Sequence, residues 1–477
     1  LAPPRPPPPP AASPPPPFHV AAAGYAPLGQ DIDGVAVNDH CGQSVALSAD
    51  GRVLAVGEET ADPNGNANTG RVRVYDWADG GGAWQLRADV PGAIAGVHSG
   101  KYVALSADGD VLAVGDPFNG VPAQDAGRVR VYDWDGATYV QRSDPGQLLH
   151  GLAAHEHVGW YLDLSADGSI VVCGVRQFSH SGNYYQGRAL VFEWAAGAWT
   201  QRGHADDLRG DGAFDKFAWS VALSANGEIL AVGVPRTDHP TAHDFNRGEV
   251  HVYAYDGGTN RWNRRGTALL GGSTNQDQLG WSIAISADGD VVATGANQGN
   301  SNHGYVRVYA WNANSADYAQ RGTDIDGTIA GGYFGQSVSL SSDGALLVVG
   351  GAAPNAEIQG AVGVYAWNGV DAHEPVGALM IGPDGSDGQY GYSVALNADA
   401  TVLAVGASSV NIAGIGDGAG RAYVYAVQYH PSPPTPPPAV PRPPPPPLAP
   451  PRPPPPPTPL PAPPPPPFHV AAAGYAP

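Results

Sequence analysis

One phrase recurs seven times along this chain and restricts what it can fold into. The copies read CGQSVALSADGRVLAVG from Cys41, SGKYVALSADGDVLAVG from Ser99, VGWYLDLSADGSIVVCG from Val158, FAWSVALSANGEILAVG from Phe217, LGWSIAISADGDVVATG from Leu279, FGQSVSLSSDGALLVVG from Phe334 and YGYSVALNADATVLAVG from Tyr390. Their turn residues, Asp50, Asp108, Asp167, Asn226, Asp288, Asp343 and Asp399, lie 55 to 62 positions apart. Each copy is two alternating strands around a tight turn, in which Asp or Asn bonds back to its own backbone and Gly takes the positive φ that closes the hairpin. The seventh copy has Ala400 in place of that glycine, so its turn is expected to be built differently or to carry strain.

A third strand follows each hairpin after a variable loop: GRVRVYDW from Gly70 and Gly127, GRALVFEW from Gly187, GEVHVYAY from Gly248, GYVRVYAW from Gly304, GAVGVYAW from Gly360 and GRAYVYAV from Gly420. A fourth carries an aromatic residue and often Gln-Arg-Gly, as in WTQRG from Trp199 and YAQRG from Tyr318. Four strands repeated seven times predict an all-β fold, a seven-bladed β-propeller with four-stranded antiparallel blades. Small residues dominate the first two strands, as blades crowding at an axis require, and aromatic residues fill the wider gaps outside. The seventh copy runs straight into proline after Val427 and has no fourth strand of its own. YAPLGQDIDG at Tyr25–Gly34 matches YAQRGTDIDG at Tyr318–Gly327, so residues 18–34 are expected to complete blade seven and close the ring.

The phrase FGQSVSLSSDGALLVVGG at Phe334–Gly351 resembles the FG-GAP repeat family, propellers related to the integrin α-chain head. The resemblance spans about 400 residues and all seven blades, with the FG pair itself kept only at Phe334-Gly335. Some members of that family hold calcium in DxDxDG loops, and no loop here keeps that motif intact. The nearest pattern is Asp62, Asn64, Asn66 and Asn68, oxygen ligands at alternate positions, a weak calcium candidate that reads better as a polar turn. His150, His155 and His157 match no common zinc spacing and read as loop histidines.

Outside the repeats the chain is proline-rich. Residues 1–17 and 431–467 are predicted to form stiff polyproline II rods, the second on the order of 110 Å long if straight. The segment FHVAAAGYAP stands at Phe18–Pro27 and again at Phe468–Pro477, and LAPPRPPPPP stands at Leu1–Pro10 and Leu448–Pro457. The chain thus starts itself again after about 450 residues, in the manner of one unit of an array. The expected layout is a propeller over 18–430, a rod over 431–467 and, at 468–477, the first strand of the next unit. Phe468, His469, Val470 and Tyr475 are the inter-unit strand candidates.

The SPPPP and Pro-Pro-Ser/Thr punctuation resembles the extensins and other hydroxyproline-rich glycoproteins of plant and green-algal walls. That resemblance implies secretion and O-linked glycans on hydroxyproline at Pro14, Pro15, Pro16, Pro17, Pro443, Pro444, Pro445, Pro446, Pro447, Pro453, Pro454, Pro455, Pro456, Pro457, Pro463, Pro464, Pro465, Pro466 and Pro467. No Asn-x-Ser/Thr sequon occurs, which leaves the rods as the place for sugar.

A net charge of −20, with Lys101 and Lys216 the only lysines, argues against nucleic-acid binding. No stretch of 18 apolar residues exists to span a membrane. Cys41 and Cys173 fall in different repeats and read as buried free thiols. A nucleophile elbow and a phosphate loop are both absent, so no enzyme and no cofactor is expected. The expected function is a structural repeat unit of a secreted, glycosylated extracellular fibre or wall filament, whose partners are copies of itself. The alternative is a stalked adhesion or carbohydrate-binding propeller.

Overall fold

The computed structural model describes residues 24–428 apart from 64, 145–147, 180–183, 205, 238–245, 273–275, 353–359 and 383–388. The chain divides into two units, 1–434 and 435–477. The second unit and residues 1–23 lie outside the described residues, and with them both proline tracts, the candidate glycan sites and the second FHVAAAGYAP copy.

The first unit is a seven-bladed, all-β propeller of antiparallel four-stranded blades. Blade 1 comprises Cys41–Leu47, Val53–Glu58, Arg71–Ala78 and Ala83–Pro91. Blades 2 to 6 start at Val103, Leu162, Val221, Ser282 and Phe334 and follow the same order. Blade 7 is Ser393–Leu396, Val402–Ala407 and Arg421–Gln428, with Gly24–Pro27 as its outermost strand. In blades 4 to 7 the outer strand breaks into two pieces that pair with the same third strand.

The recurring phrase is explained by what each residue touches. In the turn, Ser48 Oγ donates to Asp50 Oδ1 (2.7 Å) and accepts from the Val53 amide (2.9 Å), while Asp50 Oδ1 accepts from the Arg52 amide (3.0 Å). The pattern repeats at Ser106 and Asp108, Ser165 and Asp167, Ser224 and Asn226, Ser286 and Asp288, and Ser341 and Asp343. In blade 7 Asn397 replaces the serine and keeps both bonds, to Asp399 (2.8 Å) and from the Val402 amide (2.8 Å).

The second residue of each turn motif reaches across to the next blade. Main-chain bonds run from Ala49 to Ala107, Ala107 to Ala166, Ala166 to Ala225, Ala225 to Ala287, Ala287 to Ser342, Ser342 to Ala398 and Ala398 back to Ala49, at 2.7 to 3.1 Å. These seven bonds form a closed ring around the axis. Blades also touch where the second strand ends. A Cβ at any of Gly57, Gly115, Gly174, Gly233, Gly295, Gly350 and Gly406 would stand 2.0 to 2.2 Å from a carbonyl oxygen of the following blade, so no side chain fits.

The outer clasp uses the arginine of Gln-Arg-Gly, at Arg202 and Arg321, or the arginine at the equivalent position of the fourth strand. Arg87, Arg142, Arg202, Arg265 and Arg321 each lie over an aromatic ring of the next blade, at 4.1 Å from Trp134, 5.4 Å from Trp194, 3.9 Å from Tyr255, 4.2 Å from Trp311 and 4.5 Å from Trp367. Arg142, Arg265 and Arg321 also donate to the carbonyl of the next blade's turn glycine, at 2.6, 2.7 and 3.0 Å. The size gradient read from the sequence has one exception: the first strands of blades 3 to 5 are each preceded by a tryptophan, Trp160, Trp219 or Trp281, near the axis. Cys41 and Cys173 are free and buried.

Ala400 keeps the left-handed turn, at φ 59°. In the other six blades a Cβ on the turn glycine would meet a β-branched side chain of the preceding blade at 2.5 to 2.7 Å: Val402, Val53, Val111, Ile170, Ile229 or Val291. The corresponding residue facing Ala400 is Leu346, in the same buried cluster and branched one carbon further out, which leaves room for a methyl. Gly115→Ala is therefore expected to cost about 3 kcal/mol, from a backbone collision that cannot relax. Ala400→Gly should change stability by less than about 1 kcal/mol, since relief of the left-handed φ is offset by a lost buried methyl and added chain entropy. Urea unfolding of the two variants measures both; equal effects would show that the inter-blade approach does not set the cost.

Candidate functional site

The feature that sets one blade apart is its outer strand. Gly24–Pro27 pairs antiparallel with the third strand of blade 7, Gly24 opposite Gln428, Tyr25 opposite Val427, Ala26 opposite Ala426 and Pro27 opposite Tyr425. An outermost strand tolerates Pro27 because one of its edges needs no amide donor. The Leu28 amide extends the ladder to the Val424 carbonyl (2.8 Å), and Ile32–Asp33 pairs with Ala422 and Arg421. The Asp33 carboxylate accepts from Arg421 Nε at 2.5 Å. The strand is thus held by backbone, by one aromatic side chain and by a charged end.

Tyr25 is the aromatic anchor. Its ring packs against the core shared by blades 6 and 7, and its hydroxyl donates to the Val376 carbonyl of blade 6. Burial raises its pKa well above the ordinary range, which keeps the hydroxyl a donor. On the other flank Trp84 of blade 1 donates its Nε1–H to the Leu28 carbonyl (2.9 Å). The Gln30 amide side chain accepts from the Trp84 amide (3.0 Å) and donates to its carbonyl (2.6 Å).

Both flanks lack the arginine clasp. Where blades 1 to 5 place arginine, blade 6 has Val376 and the N-terminal strand has Leu28. Where the other blades place Trp or Tyr, blade 6 has His373, 4.9 Å from Trp367. Burial, together with the Arg321 charge, lowers the His373 pKa to about 4. The two seams around blade 7's outer strand are therefore apolar where the others are cationic.

The residues singled out in the sequence are dispersed. Asp62 Oδ1 accepts from the Asn68 amide at 2.6 Å and Thr69 Oγ1 donates to the Asn66 carbonyl, a self-contained turn; Asn64 lies outside the described residues. His150 stands apart, but Asp125, His155 and His157 bring one donor atom each within 4.8 Å of one another. His155 Nδ1 lies 3.2 Å from Asp125, and the His157 pKa is lowered to about 4 by burial and by the charge of Arg176, a charge that opposes any cation placed there. At the opposite end of the channel Asp163 is raised to about 6 by burial while accepting from the Leu223 (2.7 Å) and Leu164 (2.8 Å) amides. It is the only carboxylate among the described residues lining that end. No helix among the described residues is long and apolar enough to cross a membrane.

The chain matches no protein-family model and no curated protein. Among solved structures it is similar to a "putative 6-phosphogluconolactonase" from Bacteroides uniformis, at 15% identity and a TM-score of 0.48, over 71% of this chain and 85% of that one. It is also similar to hydrazine synthase of Kuenenia stuttgartiensis, at 14% identity and a TM-score of 0.47, over 80% and 96%.

The neighbouring interface of blades 5 and 6, where His373 packs on Trp367 beside Arg321, makes a pH prediction. His373 titrates near 6.5 when unfolded and near 4 when folded, so the stability its neutral form confers is complete above pH 6.5 and is lost as pH falls toward 4. His157 adds to the loss in the same window. His373→Phe is expected to remove about 2 kcal/mol of the acid destabilisation between pH 7 and pH 4. Urea unfolding of parent and variant at both pH values tests this, and parallel losses in the two would refute it.

Proposed function

We propose that the chain is a structural repeat unit of an extracellular fibre, propeller beads of FG-GAP type joined by glycosylated polyproline rods. The observation that carries this reading is the seam. The strand that completes blade 7 is Gly24–Pro27, within a ten-residue segment whose letters recur unchanged at Phe468–Pro477. A segment identical in sequence has the same ladder donors, the same aromatic anchor and the same proline. In this reading Phe468, His469, Val470 and Tyr475 supply the outer strand of blade 7 in the following propeller, and 431–467 is the spacer between beads.

Two features support strand addition there. The blade 7 sheet without Gly24–Pro27 presents an open edge, which extended peptides fill through main-chain bonds. The flanking seams bind that strand through Val376, Leu28 and Tyr25, with no arginine of the strand to be unstacked. The secreted, hydroxyproline-bearing character of the rods rests on their likeness to wall glycoproteins, as does the absence of a catalytic role in this reading.

A chain lacking both residues 1–27 and residues 431–477 should bind the synthetic peptide FHVAAAGYAP one to one and gain several degrees in Tm, with no gain from a peptide in which tyrosine is replaced by alanine. Failure of the truncated propeller to take up the peptide while remaining folded would overturn strand addition. Glycopeptide mapping of 431–467 from native material tests the rods separately, and unmodified proline there would remove the fibre-glycoprotein reading.

A further inference from the structure

Seven equivalent residues, all with positive φ, ring one mouth of the propeller channel: His40, His98, His157, Lys216, Gln278, Tyr333 and Gln389. Inside them the first-strand entrances place Lys101 on blade 2 and Trp160, Trp219 and Trp281 on blades 3 to 5. Both lysines of a chain with net charge −20 thus stand at this mouth. Their surroundings differ. Lys101 is neutralised by Glu59 at 2.9 Å, whereas at the position of blade 3 equivalent to Glu59 the chain places Arg176.

Most arginines of similar burial have a carboxylate partner, Arg71 and Arg73 with Glu58, Arg128 and Arg130 with Asp116, Arg188 with Glu156, an exception being Arg321 on Trp367. Arg176 and Lys216 have no carboxylate within ion-pair distance among the described residues, although acidic residues outnumber basic ones 44 to 24. They are held by aromatic faces instead. Arg176 lies 3.6 Å from the centre of the Trp160 ring and 4.9 Å from that of Trp219, and Lys216 Nζ lies 5.1 Å from the Trp219 ring, itself tilted against Trp281 with ring centres 4.7 Å apart.

A ring face stabilises a cation without using its N–H donors. The donors stay available, and Arg176 Nε and Trp281 Nε1 are buried with no acceptor. Burial and the neighbouring charges of Arg236 and Arg176 lower the Lys216 pKa to about 8, and burial with Arg236 takes Arg176 to about 10. Like charges are thus gathered at a cost that a bound anion would offset. Trp160, Trp281, Gln43, Gln336 and Tyr392 line the adjoining axial cavity of about 90 Å³, a mixture of ring faces, amides and hydroxyl that suits a sugar.

We propose that this mouth is a receptor for an oxyanion, a carboxylate or sulfate borne by an acidic saccharide or free in solution, with Arg176 and Lys216 as its ligands. The site is independent of the strand-addition reading. Titration of the full chain at constant ionic strength with galacturonate trisaccharide, a sulfated disaccharide, inorganic sulfate and neutral galactotriose, followed by calorimetry and tryptophan fluorescence, tests it. Saturable binding of the charged probes, weakened roughly tenfold or more in Arg176→Gln and in Lys216→Gln and absent for galactotriose, is the expected result. Saccharides binding at least tenfold tighter than sulfate would place the anion on a sugar, and equal affinities would make it a free oxyanion. Without ligand, both variants should be as stable as the parent or more so. Affinities unchanged in both variants, no saturable binding by any charged probe, or a ligand-free loss of stability in both would overturn the proposal.

Discussion

The ring of seven main-chain bonds from Ala49 to Ala107 and onward back to Ala49 is the constraint on which the architecture depends. Each bond uses the amide of one hairpin turn and the carbonyl of the next, so every turn is both donor and acceptor. A linear stack of the same blades would leave one buried amide and one carbonyl unpaired, at about 1–3 kcal/mol each. The ring also explains why the turn is so uniform in sequence. Ser, Asp and Gly fix the turn geometry from within, and a turn displaced by an ångström would break two bonds in two different blade interfaces.

From that ring outward each interface becomes less strict. Near the axis, backbone meets backbone at the second-strand glycines and no side chain fits. Further out, β-branched residues fill the space over the turn glycines. At the rim, an arginine over an aromatic ring tolerates Trp or Tyr beneath it and distances from 3.9 to 5.4 Å. Substitution follows the same gradient. The second-strand glycine is kept in all seven blades, the turn glycine in six and the arginine clasp in five.

The fold was legible because its strictest constraints are local. The turn motif and the terminal glycine fall within seventeen residues, and the homology of YAPLG to YAQRG exposed the missing strand. The meaning of the arginine was not legible, since its aromatic partner sits about fifty residues later, in another blade. The exchange of Val or Ile for Leu346 opposite Ala400 was hidden for the same reason: the two residues belong to adjacent repeats and their complementarity exists only across the interface. The cationic mouth was still less accessible. Arg176 and Lys216 lie forty residues apart in unremarkable loops, and only the radial arrangement sets them on neighbouring tryptophans.

Blade 7 concentrates the departures from the repeat: Asn397 for serine, Ala400 for glycine, Leu28 and Val376 for arginine on its two flanks, and an outer strand from the far end of the sequence. These departures belong together physically. An arginine at position 28 would have to stack on Trp77 or Trp84 of blade 1, as Arg321 stacks on Trp367, and would tie the N-terminal strand to a neighbour through a charge that must be desolvated. Leucine makes the same contact at no such cost and packs with Trp77 and Trp84 in one apolar cluster. A seam built from backbone bonds, one tyrosine and apolar side chains buries no charge between blades, the ion pair of Asp33 with Arg421 lying within blade 7 itself. The remaining five clasps then hold the ring while the seventh blade is completed, which confines the consequence of an absent outer strand to the single blade that needs it.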